Sequence, residues 1–232
     1  MLDQLKILII AAHPDDEVLG CGGSIAKWSK DGNEVHVLIM AEGATSRDKH
    51  RDRVARKKEL SHLAQSAKKA GEILGVQFIE LMDYPDNRMD SIDLLDVVKS
   101  IEEHIEKIKP EVVITHHSGD LNVDHQIIHK AVMTACRPQP GSTVKRILSF
   151  EVPSATGWES STMKSPFIPN WFEDISQTLQ LKIEALEAYD SEMRDWPHAR
   201  SIKNIVSLAR YRGSLVGLSE AESFILHRNI VL

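Results

Sequence analysis

Residues 6–12 read KILIIAA, and the five residues that follow, 13–17, read HPDDE. An apolar run this short is the pattern of a strand buried on both faces. Such a strand needs helices above and below it, and the rest of the chain supplies them. Residues 18–29 are helical in pattern and stop at residues 30–33 (KDGN); residues 35–40 (VHVLIM) form a second strand. Residues 52–74 make a long charged helix, with Leu60, Leu63, Ala67, Ala70 and Leu74 at helical spacing and Gly75 as its stop. The same logic predicts strands at 76–81, 111–115 (EVVIT) and 147–152, and helices at 91–108 and 124–136. Alternation this regular predicts an α/β fold. It is Rossmann-like and doubly wound, with a mostly parallel sheet and right-handed crossovers.

The last third differs. Residues 153–170 are rich in Ser, Thr and Pro and read as a long loop. Residues 174–193 and 201–211 read as helices and 224–226 as a short strand. In the first of these helices Ile175, Leu179, Ile183, Leu186 and Tyr189 form an apolar stripe for the core or for a homo-oligomer contact. No repeat or linker divides the chain, so residues 1–232 read as one domain, a core over 1–152 and a C-terminal extension over 153–232.

Composition narrows the function. The 232 residues carry 28 Lys and Arg against 34 Asp and Glu, a net charge of −6. That balance argues against a nucleic-acid binder, which carries a basic excess. Basic residues do concentrate in residues 47–58. Two cysteines, Cys21 and Cys136, build neither a disulfide framework nor a four-cysteine zinc site. The apolar runs are far shorter than the roughly 20 residues of a membrane span. Residues 1–4 lack the order of a secretion signal. The expectation is a soluble, cytoplasmic protein without stable membrane insertion.

In doubly wound sheets ligands bind beyond the carboxyl ends of the strands. Two of the loops there are dense in imidazoles and carboxylates: residues 13–17, and residues 116–125 (HHSGDLNVDH). His13 and Asp16 lie three apart across a turn that Pro14 opens, so both side chains can face one point. His125 arrives from the neighbouring loop. Two imidazoles and a carboxylate are a donor set for Zn2+, with a position left open for water. Asp15 is then free to act on that water as general base. The ordinary alternatives are that Asp15 or Asp16 caps the first helix, that Asp124 caps a later one, and that His116 and His117 fill a strand end. The stretch Gly20-Cys21-Gly22-Gly23-Ser24 fails as a dinucleotide fingerprint, because Ile25 stands where the third glycine belongs. It reads instead as close packing of a helix on the sheet. No G-x-S-x-G elbow is present.

The buried strand leading into Ala12-His13-Pro14-Asp15-Asp16-Glu17, the glycine-rich helix start and the later Asp124-His125 resemble the PIG-L/LmbE family of zinc-dependent N-deacetylases. The resemblance runs on through Arg56 with Glu59, Phe167-Ile168-Pro169-Asn170 with Asp174-Ile175, the stretch from His198 to Ser201, and Ala221-Glu222-Ser223-Phe224-Ile225-Leu226. It implies that His13, Asp16 and His125 hold Zn2+, or Fe2+ in the cell, and that Asp15 is the base. The substrate class it implies is an N-acetylated amino sugar of the GlcNAc type, linked to a lipid, a small acid or a nucleotide. In some relatives a histidine two positions before the motif's aspartate helps as acid, paired with that aspartate. Here Asp124 is kept and Asn122 stands in the histidine's place, which leaves protonated Asp15, His116 or His117 as proton donor.

For the substrate, Arg47 and Arg56 are candidates to hold a distal phosphate or carboxylate, and Asn122, within the loop 116–125, is a further candidate to bind it. Trp158, Phe167 and Trp171 can stack on a sugar or staple the long loop. Two other functions stay open: a deacylase of amino-acid conjugates, and a non-catalytic sugar-binding module on the same fold. A nucleotide-dependent dehydrogenase is disfavoured by the failed fingerprint.

Overall fold

The computed structural model describes residues 4–160 and 165–231. Residues 1–3, 161–164 and 232 lie outside the described residues, and with them most of the stretch read for a secretion signal and part of the long loop. The chain runs β1 (Lys6–Ala11), α1 (Asp16–Lys30), β2 (Glu34–Ala41), α2 (Lys57–Leu74), β3 (Phe78–Tyr84), α3 (Leu94–Ile108), β4 (Val112–His116), α4 (Val123–Ala135), β5 (Arg146–Phe150), β6 (Trp171–Asp174), α5 (Leu179–Ala188), α6 (Ile202–Ser214) and β7 (Ala221–Asn229). The seven strands form one sheet in the order β3-β2-β1-β4-β5-β7-β6. The first five are parallel; β7 runs antiparallel to β5 and β6 antiparallel to β7.

β1 shows why the fold has two helical layers. Its alternate residues enter opposite cores: Ile7 and Ile9 pack with α1 and α2, Leu8 and Ile10 with α3 and α4. From β1 the chain winds outward to β2 and β3, then returns to place β4 on the other side. The crevice at that reversal, above β1 and β4, is where such sheets bind ligands.

The extension differs from the sequence reading in three places. Residues 171–174 are a strand, not loop and helix start. The Asp174 carboxylate accepts the Ser176 N–H and hydroxyl, which turns the chain before α5 begins. β7 spans nine residues rather than three, since it pairs with β5 on one side and β6 on the other. The helix expected over 174–193 is α5 alone, and its buried Ala185 and Leu186 belong to the core rather than to a free apolar face. Similarly, α2 starts at Lys57 instead of residue 52. The Asp52 carboxylate accepts the Val54 and Ala55 N–H groups and closes a turn of its own.

The glycine-rich stretch does pack closely, as its sequence suggested. A Cβ at Gly20 would stand 2.2 Å from the Phe150 ring and one at Gly23 2.9 Å from Ile175. At Cys21 the backbone leaves the helical region (φ −147°, ψ 24°), so α1 is broken there. The break exposes a second set of helix-start N–H groups. Those of Gly23 and Ser24 donate to the Glu222 carboxylate at 3.0 and 2.7 Å, and Lys182 Nζ pairs with the same group at 2.6 Å. Buried charges persist only when paired and hydrogen-bonded in this way. Gly20→Ala is expected to lower unfolding free energy by about 2–3 kcal/mol through overpacking against Phe150. Chemical denaturation measures it, and an unchanged midpoint would contradict the packing.

Candidate functional site

Pro14 and the first turn of α1 bend the chain sharply at the end of β1. Asp15 takes φ 119°, a conformation that non-glycine residues adopt only under strain, and its side chain caps nothing. Capping of α4 falls to Asn122, whose Oδ1 accepts the Asp124 N–H at 2.9 Å. The carboxylates of Asp15, Asp16 and Asp124 are thereby released from the ordinary capping role.

Asp16 is the centre of the cluster. Its Oδ2 lies 3.1 Å from His13 Nδ1 and 3.1 Å from His125 Nε2, and all three side chains are largely buried. The candidate ligand atoms of His13, Asp16 and His125 lie within 4.8 Å of one another. Each imidazole also turns its other nitrogen toward a carboxylate. His13 Nε2–H donates to Asp124 Oδ2 at 3.0 Å, and His125 Nδ1 lies 3.1 Å from Asp120 Oδ1, off the straight N–H line. Backing carboxylates of this kind orient metal-binding imidazoles. His125 Nε2 is buried with no hydrogen bond. This donor set fits a divalent cation such as zinc.

His13, Asp86 and Asp124 also lie close enough to hold a metal. Their carboxylates are taken, however. Asp124 accepts the Asn87 and Met89 backbone N–H groups at 2.7 and 3.0 Å, and Asp86 accepts Ser46 N–H and Asn87 Nδ2–H. These acids hold His13 from behind.

Charge follows geometry. Burial lowers the His125 pKa, but the Asp16 and Asp120 carboxylates outweigh it and push it up to about 9. For His13, burial is likewise overcome by Asp124 and Asp16, and the pKa rises. Asp16 is opposed by burial yet held well below the usual carboxylate range by His125 and His13. Burial and the Asp16 charge raise Asp15, against the pull of Arg200. Burial also lifts Glu17 to about 7; its carboxylate accepts Tyr189 Oη–H at 2.6 Å and the Asp15 N–H at 3.2 Å.

The cluster opens on a cavity of about 200 Å³ whose wall is almost wholly polar, lined by His13, Asp15, Asp16, Arg47, Asn122 and Arg200 among others. Arg47 Nη2 donates to Glu192 Oε1 at 2.8 Å. Asn122 Nδ2 donates to Asn87 Oδ1. Arg56 is elsewhere, its guanidinium taken by Asp48 and Glu59, each at 2.7 Å. Trp158 also lies off the wall. It is 54% exposed, with its ring edge-on to His198 at 5.4 Å. His116 and His117 do not line the cavity. His116 is fully buried, its Nε2 accepts the Ala12 N–H at 2.8 Å, and its ring stacks on His125 at 3.8 Å. His117 Nε2–H donates to the Ser165 carbonyl.

A family model, PIG-L, described as GlcNAc-PI de-N-acetylase, matches residues 8–136. The chain belongs to the PIG-L family. Among the relatives of this PIG-L chain, the Escherichia coli K12 protein described as uncharacterized deacetylase YaiS is 30% identical over 191 residues, covering 80% of this chain and 90% of that one. The diacetylchitobiose deacetylase of Thermococcus kodakarensis is 27% identical over 241 residues, covering 95% and 82%. The structure of the N,N'-diacetylchitobiose deacetylase of Pyrococcus horikoshii superposes with a TM-score of 0.77 at 20% identity, over 97% of this chain and 85% of that one. The last likeness shows the fold.

Sequence reasoning missed Glu192, Asp86 and Asp120, and it quoted Arg200 within the stretch from His198 to Ser201 without giving it a role. Asp120 stands inside the loop already quoted, five residues before His125, and was readable as that histidine's partner. Arg200 meets Asp15, and Glu192 meets Arg200 and Arg47, only through the fold. Because two raised imidazoles must lose protons to bind a cation, zinc uptake at pH 7 is expected to release at least one proton, and apparent affinity to rise with pH up to about 9. Calorimetry in buffers of differing ionisation enthalpy reads the proton count; none released would count against these ligands.

Proposed function

We propose that this chain is a metal-dependent deacetylase that removes an acetyl group from the amide nitrogen of an N-acetylated amino-sugar conjugate of the GlcNAc type. The observation that carries this is the meeting of His13, Asp16 and His125 with an uncapped, strained Asp15 on one polar cavity in a PIG-L chain. A Zn2+ held by those three residues, or Fe2+ in the cell, would acidify water and polarise the acyl carbonyl.

The protein's own groups do the rest. Asp15, beside Asp16 and facing the cavity, takes the proton of the attacking water. That proton must then reach the leaving nitrogen. With Asn122 capping α4, His116 held by Ala12 and His117 by Ser165, Asp15 is the group placed to return it. Asp124 acts through His13: its carboxylate, held by Asn87 and Met89, fixes the ring so that Nδ1 faces Asp16. Asn122 and Arg47 face the bound sugar from the cavity wall, and Trp158 offers a ring outside it for the part of the conjugate that projects. Arg56, tied to Asp48 and Glu59, orders the rim.

Residues 1–232 are read as one catalytic domain. β7 extends the sheet of the core, and Arg200 of the extension touches Asp15. Among the described residues no helix is long and apolar enough to cross a membrane. The buried free cysteines Cys21 and Cys136 suit a reducing, cytoplasmic setting.

The test is acetate release by zinc-loaded protein from GlcNAc, UDP-GlcNAc, GlcNAc-inositol, GlcNAc-malate and diacetylchitobiose, with a chelated control. Chelator-sensitive release from at least one is expected, and silence across the panel with zinc bound would overturn the reading. Asp15→Ala is expected to keep its zinc and lose at least about 10²-fold in turnover, whereas Asp16→Ala loses both. An Asp15→Ala enzyme of near-normal rate would remove Asp15 from its role.

A further inference from the structure

Among the described residues, Arg200 is the cation that touches Asp15. Its Nη1 donates to Asp15 Oδ2 at 2.9 Å and lies 3.4 Å from Glu192 Oε2. Glu192 is buried and gives its other oxygen to Arg47. The guanidinium is therefore braced from behind and cannot swing away from Asp15 without breaking a second contact. Arg200 also lines the cavity, and its Nε–H is buried with no hydrogen-bond partner among the described residues. Among the described residues Nη1 is the guanidinium nitrogen with hydrogen-bond partners, which leaves the donors of Nε and Nη2 for an acceptor in the cavity.

The segment that presents it is tightly tied. Arg200 N–H donates to His198 Nδ1 at 3.0 Å, Ser201 N–H to the His198 carbonyl at 3.0 Å, and Asn204 Nδ2 to the Ala199 carbonyl at 2.8 Å. Ser201 then caps α6 by accepting Asn204 N–H. A donor fixed this way needs no reorganisation when charge develops beside it.

We propose that Arg200 serves the reaction twice: Nη1 holds Asp15 in place as general base, and the remaining guanidinium N–H groups receive the acyl oxygen of the substrate as that oxygen gains negative charge. The proposal rests on the deacetylase reading. As the water oxygen bonds to the acyl carbon, its proton passes to Asp15 and the carbonyl π pair moves onto the acyl oxygen. When the carbon–nitrogen bond breaks, that pair reforms the carbonyl and Asp15 gives its proton to the nitrogen. Arg200 gains and loses no proton; it contributes a fixed positive charge and a directed N–H.

Arg200→Gln and Arg200→Lys separate these contributions, because an ammonium can still hold Asp15 but offers no second fixed N–H. Circular dichroism and one zinc per chain confirm that each variant folds. On whichever substrate the wild type deacetylates, Arg200→Gln is expected to lower kcat about 10²-fold or more with KM within a few-fold, and Arg200→Lys to recover part of it. A loss confined to KM, or an Arg200→Gln enzyme with near-normal kcat, overturns the proposal.

Acetate supplies a readout free of turnover, its oxygens standing in for the acyl oxygen. Calorimetry on zinc-loaded protein should show acetate bound at least tenfold more weakly by Arg200→Gln than by wild type. Equal affinity, or no binding to the wild type, overturns the proposal. Silence of the wild type on every N-acetylated substrate would instead sink the deacetylase reading, and the acetate titration would still decide whether Arg200 receives a carboxyl oxygen.

Discussion

The site depends on one buried carboxylate. Asp16 Oδ2 lies 3.1 Å from nitrogens of His13 and His125, which come from loops more than a hundred residues apart. A carboxylate in so dry a place is tolerable only if positive charge or directed donors meet it. The loop after β1 and the loop after β4 must therefore touch, and that requires the two strands to be parallel neighbours. They are, with Ile7 opposite Val112. A one-residue slip in this register would turn every side chain of β1 to the wrong core and carry His13 away from its partners.

The same demand explains the extension. Several of its residues reach the first loop and helix from behind: Tyr189 donates to Glu17, Arg200 to Asp15, and Lys182 joins Glu222 under the break in α1. The glycine-rich stretch carries the outward signs of an anion-binding loop, and its N–H groups do bind an anion. The anion is the protein's own Glu222 carboxylate, delivered by β7. Thus α1, which begins with Asp16, is anchored at its middle by the far end of the chain.

Much of this was legible in the sequence. The alternation of strands and helices was plain because strands buried on both faces must be continuously apolar. The ligand candidates His13, Asp16 and His125 were readable because metal donors are few in type and fall at strand ends in this architecture. The extension was harder. Residues 171–174 carry no strand signature of their own and become a strand only because β7 offers them a partner. Trp158 and Arg56 have side chains suited to a substrate, yet the fold points Trp158 at His198 and ties Arg56 to Asp48 and Glu59. Residue type cannot say which partner a side chain will meet.

By itself, then, the sequence determined the period of the pattern, the doubly wound sheet and the residues able to hold a metal. Each of these follows from local physics: side-chain alternation along a strand, the stop signals of helices, and the chemistry of imidazole and carboxylate. Only the tertiary structure decided that Asp124 backs His13, that Asn122 caps α4, and that Arg200 reaches Asp15 from 185 residues away. Those pairings depend on how the C-terminal strands close the sheet and turn the following helix toward β1. Long-range closure is a property of the packed whole, and no spacing along the chain encodes it.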